Sequence, residues 1–306
     1  MEYRAAFPSS LFLSVRPRLA AVLASLMVSA CTAVFFQPMR GHVLTPAQGG
    51  LKYEDVHFAS ADGTRLHAWF LPAQGKAEGT IYFLHGNAEN ISTHIASMYW
   101  MPARGFNVFL LDYRGYGLSE GAPFLPGVLE DIDAGLQALL ARPEVDRKRI
   151  VLFGQSLGGA LAAYYVAHTP RRGDIRALVI ESTFASYRGI AREKLASFWL
   201  TWPLQVPLSW TVDDDYSPVG AIGRVSPIPV LIIHGGQDRT VPVEHGRRLY
   251  EAAESPKDFW LVPGGGHISA MGRPELREQF VAYLRGAFSP PPRKTGSARI
   301  PDKSAM

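Results

Sequence analysis

The sequence predicts an α/β fold: a mostly parallel central sheet, helices on both faces, and a small lid insertion between two of its strands. Three observations predict it. The runs "TIYFLHG", "NVFLLDYRG", "RIVLFG", "ALVIES", "PVLIIHG" and "DFWLVPG" are nearly unbroken Val/Ile/Leu/Phe, the mark of strands buried on both faces. Helical stretches separate them, as βαβ units require. Upstream, "YEDVHFASADGTRLHAWFLP" alternates apolar and polar residues around Asp62-Gly63, which predicts a hairpin.

Taken from the N-terminus, the first element lies outside the fold. Arg16 and Arg18 precede "LAAVLASLMVSAC", an uncharged run from Leu19 to Cys31. The run is too short for a comfortable span of about 20 residues and ends in small residues, so residues 1–30 are expected to be a secretory signal. Val28-Ser29-Ala30-Cys31 resembles the bacterial lipobox, which implies cleavage before Cys31 and its lipidation; the alternative is an uncleaved anchor helix. Thr32 in place of aspartate resembles sequences sorted to the outer membrane, so the chain is expected in the cell envelope, facing the periplasm. Residues 31–50 show no helical or strand period and are expected to be a lipidated tether.

The folded domain is expected over residues 51–289. The chain has 306 residues, 47% hydrophobic and 19% charged, ample for one large core. Its formal charge of +4 sits at the ends. Residues 1–30 carry +2 and residues 290–306 carry +3, which leaves the domain near −1. That distribution excludes a nucleic-acid binder, whose basic excess would lie on the fold. The Pro-rich tail, 290–306, is expected to be disordered. Residues 186–218 interrupt the strand rhythm with Trp199, Trp202 and Trp210. They are expected to form the lid; a core helix with aromatic filler is the alternative, and contact of the tryptophans with a membrane interface is a third.

Chemistry enters at Gly154-Gln155-Ser156-Leu157-Gly158, a G-x-S-x-G that leaves a buried strand and opens an Ala-rich helix. The turn forces Ser156 into a strained backbone, and side chains at Gly154 and Gly158 would collide with neighbouring strand and helix. A serine hydroxyl needs a base, and the base needs an orienting acid. Asp238 and His267 follow the next strand ends, in the order Ser, Asp, His. The run Gly264-Gly265-Gly266 is expected to give a mobile loop that brings the imidazole to the serine. Glu181, after "ALVI", is the reserve acid. Asp213, Asp214 and Asp215 read as a solvated lid edge, and Asp112 as a brace for its own loop. The oxyanion hole is expected from the amides of Leu157 and Asn87, with Gly86 permitting close backbone approach and His85 bracing the loop.

"LHGNAEN", "LDYRGYGLSEG", "FGQSLGG", "HGGQDRTVP" and "PGGGH" together resemble the α/β-hydrolase superfamily, most of all its HGN-type, serine aminopeptidase-like members, over about residues 51–288. The resemblance implies acyl-ester hydrolysis through an acyl-enzyme at Ser156. "HGNA" departs from the "HGGG" of many lipases. No acidic cluster marks a pocket for a peptide amino terminus, and no His/Cys set or phosphate loop marks a metal or nucleotide. The expected substrates are small to medium acyl esters, lysolipids and thioesters included, with no cofactor. The alternatives are a peptidase or amidase of the same fold and a non-catalytic envelope lipoprotein.

Overall fold

The structure is a computed structural model and describes residues 35–289. The proposed signal, Cys31 and the tail 290–306 lie outside the described residues. Among the described residues ten strands form two sheets: β1 (Gln37–Pro38), β2 (Glu54–Ala59), β3 (Arg65–Leu71), β4 (Gly79–Leu84), β5 (Ala88–Glu89), β6 (Phe106–Asp112), β7 (Ile150–Gln155), β8 (Ala177–Glu181), β9 (Val230–Gly235) and β10 (Lys257–Val262). The large sheet has the order β10-β9-β8-β7-β4-β6-β3-β2, and β1 pairs with β5 apart from it. Within the large sheet only β3 runs against the rest. The hairpin falls where the sequence puts it: Gly63 takes φ +84 at the turn between β2 and β3.

The central strands are buried on both faces because each alternate residue feeds a separate core. Tyr82, Leu84, Ile150 and Leu152 point to one, with helices α2 (Gly127–Leu140) and α3 (Leu157–His168) over them. Ile81, Phe83, Val151 and Phe153 point to the other, covered by residues 91–101 and the last helix. Residues 91–101 begin with the short helix α1 (Ile91–His94). Period-two alternation between two apolar layers explains why the strand sequences show no polar face.

The insertion after β8 comprises α4 (Tyr187–Ala196) and α5 (Gln205–Ser209), which pack on one another. Trp199, Trp202 and Trp210 are 78%, 59% and 70% exposed, which removes the core-filler alternative. Asp214, expected at a solvated edge, instead clamps the insertion. Its carboxylate accepts from Ser186 Oγ at 2.9 Å and the Arg188 amide at 2.9 Å, and it also takes the Ser217 hydroxyl. Then follow α6 (Pro218–Ala221), α7 (Val243–Ala252) and α8 (Pro274–Phe288). None of the described helices is long and apolar enough to cross a membrane.

The expected tether at 31–50 needs correction from Phe35 onward. β1 pairs in register with β5, Gln37 with Ala88 and Pro38 with Glu89. The Arg40 guanidinium donates to the Ser119 and Gly121 carbonyls at 2.9 and 2.6 Å. Residues 35–50 are therefore strapped across the loops that follow β4 and β6. Their hydrogen-bond partners in those loops lie 49 to 81 residues away in sequence, so no local period announces them.

Candidate active site

The expected residues follow the carboxyl ends of parallel strands, where sites gather in such sheets. Asn87 follows β4, Ser156 follows β7, Asp238 follows β9 and His267 follows β10.

Ser156 has φ +52 and ψ −115, a conformation that a non-glycine residue adopts only when its surroundings enforce it. The enforcement is visible. The Ser156 amide donates to the Glu181 carbonyl at 2.9 Å, and the Ser156 carbonyl accepts from the Gly159 amide at 3.1 Å. A Cβ at position 154 would lie 2.3 Å from the Gly158 carbonyl oxygen, and one at 158 would lie 2.2 Å from that of Leu84. Strand, turn and helix thus close to contact with no room for a methyl group. Ser156 stands partly exposed at the start of α3.

Asp238 and His267 meet directly. His267 Nδ1 donates to Asp238 Oδ2 at 2.8 Å. A carboxylate only accepts, so the proton sits on Nδ1 and the lone pair on Nε2. The other carboxylate oxygen, Oδ1, accepts the Thr240 and Val241 amides, each at 2.9 Å. Burial pushes the Asp238 carboxyl up, but the His267 bond and those two amides outweigh it and hold the group below its ordinary value. Asp238 does not cap α7, whose N-cap is Pro242. Among the described residues Ser156 Oγ makes no hydrogen bond, to His267 or any other group; such contacts commonly tighten only when substrate binds.

The His267 loop is pinned, which corrects the expectation of a mobile glycine loop. The Ile268 amide donates to Ser182 Oγ at 3.1 Å and the Ala270 amide to Glu181 Oε1 at 2.8 Å. Within the glycine run only Gly265 is crowded, where a Cβ would lie 2.8 Å from Val262 Cγ1, while Gly264 takes φ +64. The run's backbone in turn leaves no room for a side chain at Gly235, where a Cβ would fall 2.3 Å from the Gly266 carbonyl oxygen. Glu181, the reserve acid, makes no hydrogen bond to the His267 ring. Its second oxygen takes Gln155 Nε2 at 2.7 Å, and burial pushes its carboxyl up. It ties β7, β8 and the histidine loop together.

The Asn87 loop crosses close to the serine: a Cβ on Gly86 would sit 3.6 Å from Ser156 Cβ. Among the described residues no acceptor takes the Asn87 or Leu157 amide. The Asn87 side chain is held from behind, its Oδ1 accepting the Gln37 amide at 2.8 Å and the Tyr116 hydroxyl at 3.2 Å. His85 is a brace. It is fully buried, its Nδ1 donates to the Gly86 carbonyl at 2.7 Å, and burial lowers it from 6.5 to about 3. His94 was not expected here. Its ring lies against Gly86, Nε2 donates to the Ala88 carbonyl at 3.2 Å, and burial pushes its imidazole down. A four-residue helix gives no periodic signal by which sequence reading could find it.

A second histidine–aspartate group lies beyond the Asn87 loop. Asp112, at the end of β6, accepts His42 Nε2 at 2.7 Å and the Ile91 amide at 3.0 Å. Asp112 thus braces its own loop, as expected, and also fastens the N-terminal strap. Burial pushes its carboxyl up, but the His42 bond, the nearby His67 and His85 rings and the Ile91 amide outweigh it and hold it at about 2. His67 donates through Nε2 to Asp55 at 2.7 Å, while its buried Nδ1, 3.7 Å from Asp112, has no hydrogen-bond partner among the described residues. His42, His67 and Asp112 put ligand atoms within 4.8 Å of one another, so among the described residues these three are the set able to hold a divalent ion. They come from a strap and two strands, which hid them in the sequence. A cleft of about 620 Å³ bordered by Phe58, Glu130, Tyr164 and His168 lies away from all the residues above.

Comparison with known proteins agrees with this architecture. A family model described as serine aminopeptidase, S33, matches residues 75–221. Protein YfhR of Escherichia coli is 40% identical over 244 residues, 78% of this chain and 82% of that one. The α/β hydrolase domain-containing protein WAV2 of Arabidopsis thaliana is 37% identical over 242 residues, 75% of this chain and 77% of that one. The solved Pyrococcus furiosus esterase Pf2001 superposes with a TM-score of 0.64 over 83% of this chain and 97% of its own. Its 21% identity makes that a likeness of fold alone.

Proposed function

This chain belongs to the α/β-hydrolase superfamily, and from that premise we propose that it is a serine esterase working through an acyl-enzyme on Ser156. One observation carries the reading: His267 is fixed by Asp238 at 2.8 Å as the tautomer whose Nε2 is open, in a loop pinned to the strand end that also holds the strained Ser156. In this reading His267 Nε2 removes the Ser156 proton as Oγ attacks the ester carbonyl carbon. The amides of Asn87 and Leu157 hold the oxyanion, and the dipole of α3 adds to them. The tetrahedral intermediate then breaks its C–O bond to the alcohol, which takes the proton from His267. Water, deprotonated by the same nitrogen, releases the acid and restores the serine.

A fluorophosphonate probe is expected to label the protein but not Ser156→Ala, and that variant should lose ester turnover by about 10⁵-fold or more. Equal labelling of both would sink the assignment. Hydrolysis of aminoacyl anilides in preference to p-nitrophenyl esters would favour an amidase instead.

The same proposal puts the enzyme in the cell envelope, facing the periplasm and held by lipid at Cys31. The basic–apolar–small order of residues 16–31 supports that placement. Cells given radiolabelled palmitate should incorporate it into the protein, and Cys31→Ser should not.

A further inference from the structure

We propose that the insertion formed by α4 and α5 docks on a lipid bilayer, so that the esters this site takes are those held in a membrane. The substrate half of this inference rests on the esterase reading; the docking half does not.

Three independent observations meet here. The first is composition. From Ser197 to Val212 the chain has sixteen residues and no charge, yet it lies on the surface. Phe198, Trp199, Leu200, Trp202, Leu204 and Trp210 are all more than half exposed. So many exposed large apolar side chains within one short stretch of a folded domain mark a contact site. The helices are too short to span a bilayer, and indole rings settle at the headgroup boundary, so the chemistry fits lying in the interface.

The second is where the described chain begins. Phe35 packs edge-on against Tyr187, the first residue of α4, with ring centroids 5.1 Å apart. Immediately before it, Leu19 to Val34 is uncharged. If lipid is attached at Cys31, the four steps from there to Phe35 reach at most ~14 Å. If the leader is retained as an anchor instead, its last apolar residue adjoins Phe35 directly. Either way the membrane-bound end of the chain enters the domain beside the first helix of the insertion.

The third is charge. Arg192 and Lys194 lie exposed along α4, just before the apolar stretch, where they can meet anionic headgroups, while Arg188 gives a guanidinium N–H to the Val212 carbonyl at 3.2 Å. Glu193 among them is engaged with His245 at 3.0 Å. Asp213 and Asp215 stand at the opposite margin, and Asp214 is occupied by the clamp described above. The insertion leaves the sheet at Ser182–Ser186, directly after Glu181, whose carbonyl holds the Ser156 amide. A bilayer under the insertion would thus lie beside the end of β8, whose Glu181 carbonyl holds the serine amide.

The test uses the full chain, reconstituted into phosphatidylethanolamine–phosphatidylglycerol vesicles with or without brominated phosphatidylcholine. Three of the six tryptophans lie in the insertion, so bromine should quench a large share of the emission. Leu200→Glu with Leu204→Glu keeps every tryptophan but charges the face, and should cut that quenching at least threefold. The double variant should also hydrolyse p-nitrophenyl palmitate carried in the vesicles at least tenfold more slowly, with water-soluble p-nitrophenyl butyrate within twofold of the parent. Absent quenching in the parent, or quenching unchanged in the variant, overturns the docking. So does emission already blue-shifted without vesicles, which would mean that the chain's own leader covers the face, or a shift that follows protein concentration, which would mean a second copy does. A parent that quenches but hydrolyses neither ester would end the esterase reading and leave the docking standing.

Discussion

Two histidine–aspartate groups flank the serine strand, and they differ in what their outer nitrogens face. On one side, past β9 and β10, His267 gives Nδ1–H to Asp238 and remains 22% exposed, with Nε2 uncommitted. On the other, past β4 and β6, Asp112 collects His42 and the Ile91 amide, and His67 and His85 stand 3.7 and 3.8 Å off in full burial. The donor and acceptor types are the same. The first group leaves Nε2 open on a partly exposed ring; the second uses its paired atoms to hold chain together and shuts its unpaired nitrogens, His67 Nδ1 and His85 Nε2, away from solvent. A His–Asp contact therefore says little about catalysis until the remaining nitrogen and its access are known.

The sharpest way to break this comparison is to remove the charge from the first pair while keeping its shape. Asp238→Asn should lower kcat/KM by about 10³ to 10⁴, because an amide that donates to Nδ1 favours the tautomer with its proton on Nε2. Thermal stability should change little by comparison. A variant within tenfold of the parent would mean that Glu181, or nothing at all, orients the base.

A smaller effect should come from the second group, and it should appear in stability. His85 is neutral in the fold, held at about 3 against an ordinary 6.5. Between those values the unfolded chain binds the extra proton, so stability rises with pH across that window and is lost as pH falls from 6.5 towards 3. Thermal unfolding measured from pH 3.5 to 7.5 should show this slope, and His85→Gln should flatten it even if the midpoint drops at every pH. An unchanged slope in the variant would mean that the acid sensitivity resides elsewhere.

Much of this was legible because it is local. The six apolar runs became β4 and β6–β10, and Asp62-Gly63 became the hairpin turn, since strand burial and turn chemistry both leave marks within a few residues. Gly154 was readable for the same reason, since its clash with the Gly158 carbonyl lies within the five-residue turn, whereas Gly158 is required by the distant Leu84 carbonyl and was reached through the motif. The Asp238–His267 contact could be expected from chain order, though not from any local feature of either loop. What stayed hidden depends on distant partners. Gln37 meets Asn87, His42 meets Asp112, and Asp214 closes the base of the insertion, so the sequence around 35–50 and 213–215 reads as linker or solvated edge. The glycine run before His267 misled in the opposite sense. Glycine marks both flexibility and close approach, and here the distant Ser182 and Glu181 side chains, which pin the Ile268 and Ala270 amides, decide how the loop is held.

The strap of residues 35–50 makes the leading end of the chain a working part of the site. A shortened protein starting at residue 51 would discard Gln37 and His42 together, and with them the groups that hold Asn87 and Asp112 from behind. Trimming before Phe35 would spare both. Any pull on the leading end would also be transmitted first to the segment that grips the Asn87 loop, so tension would reach the candidate site along that stretch of backbone.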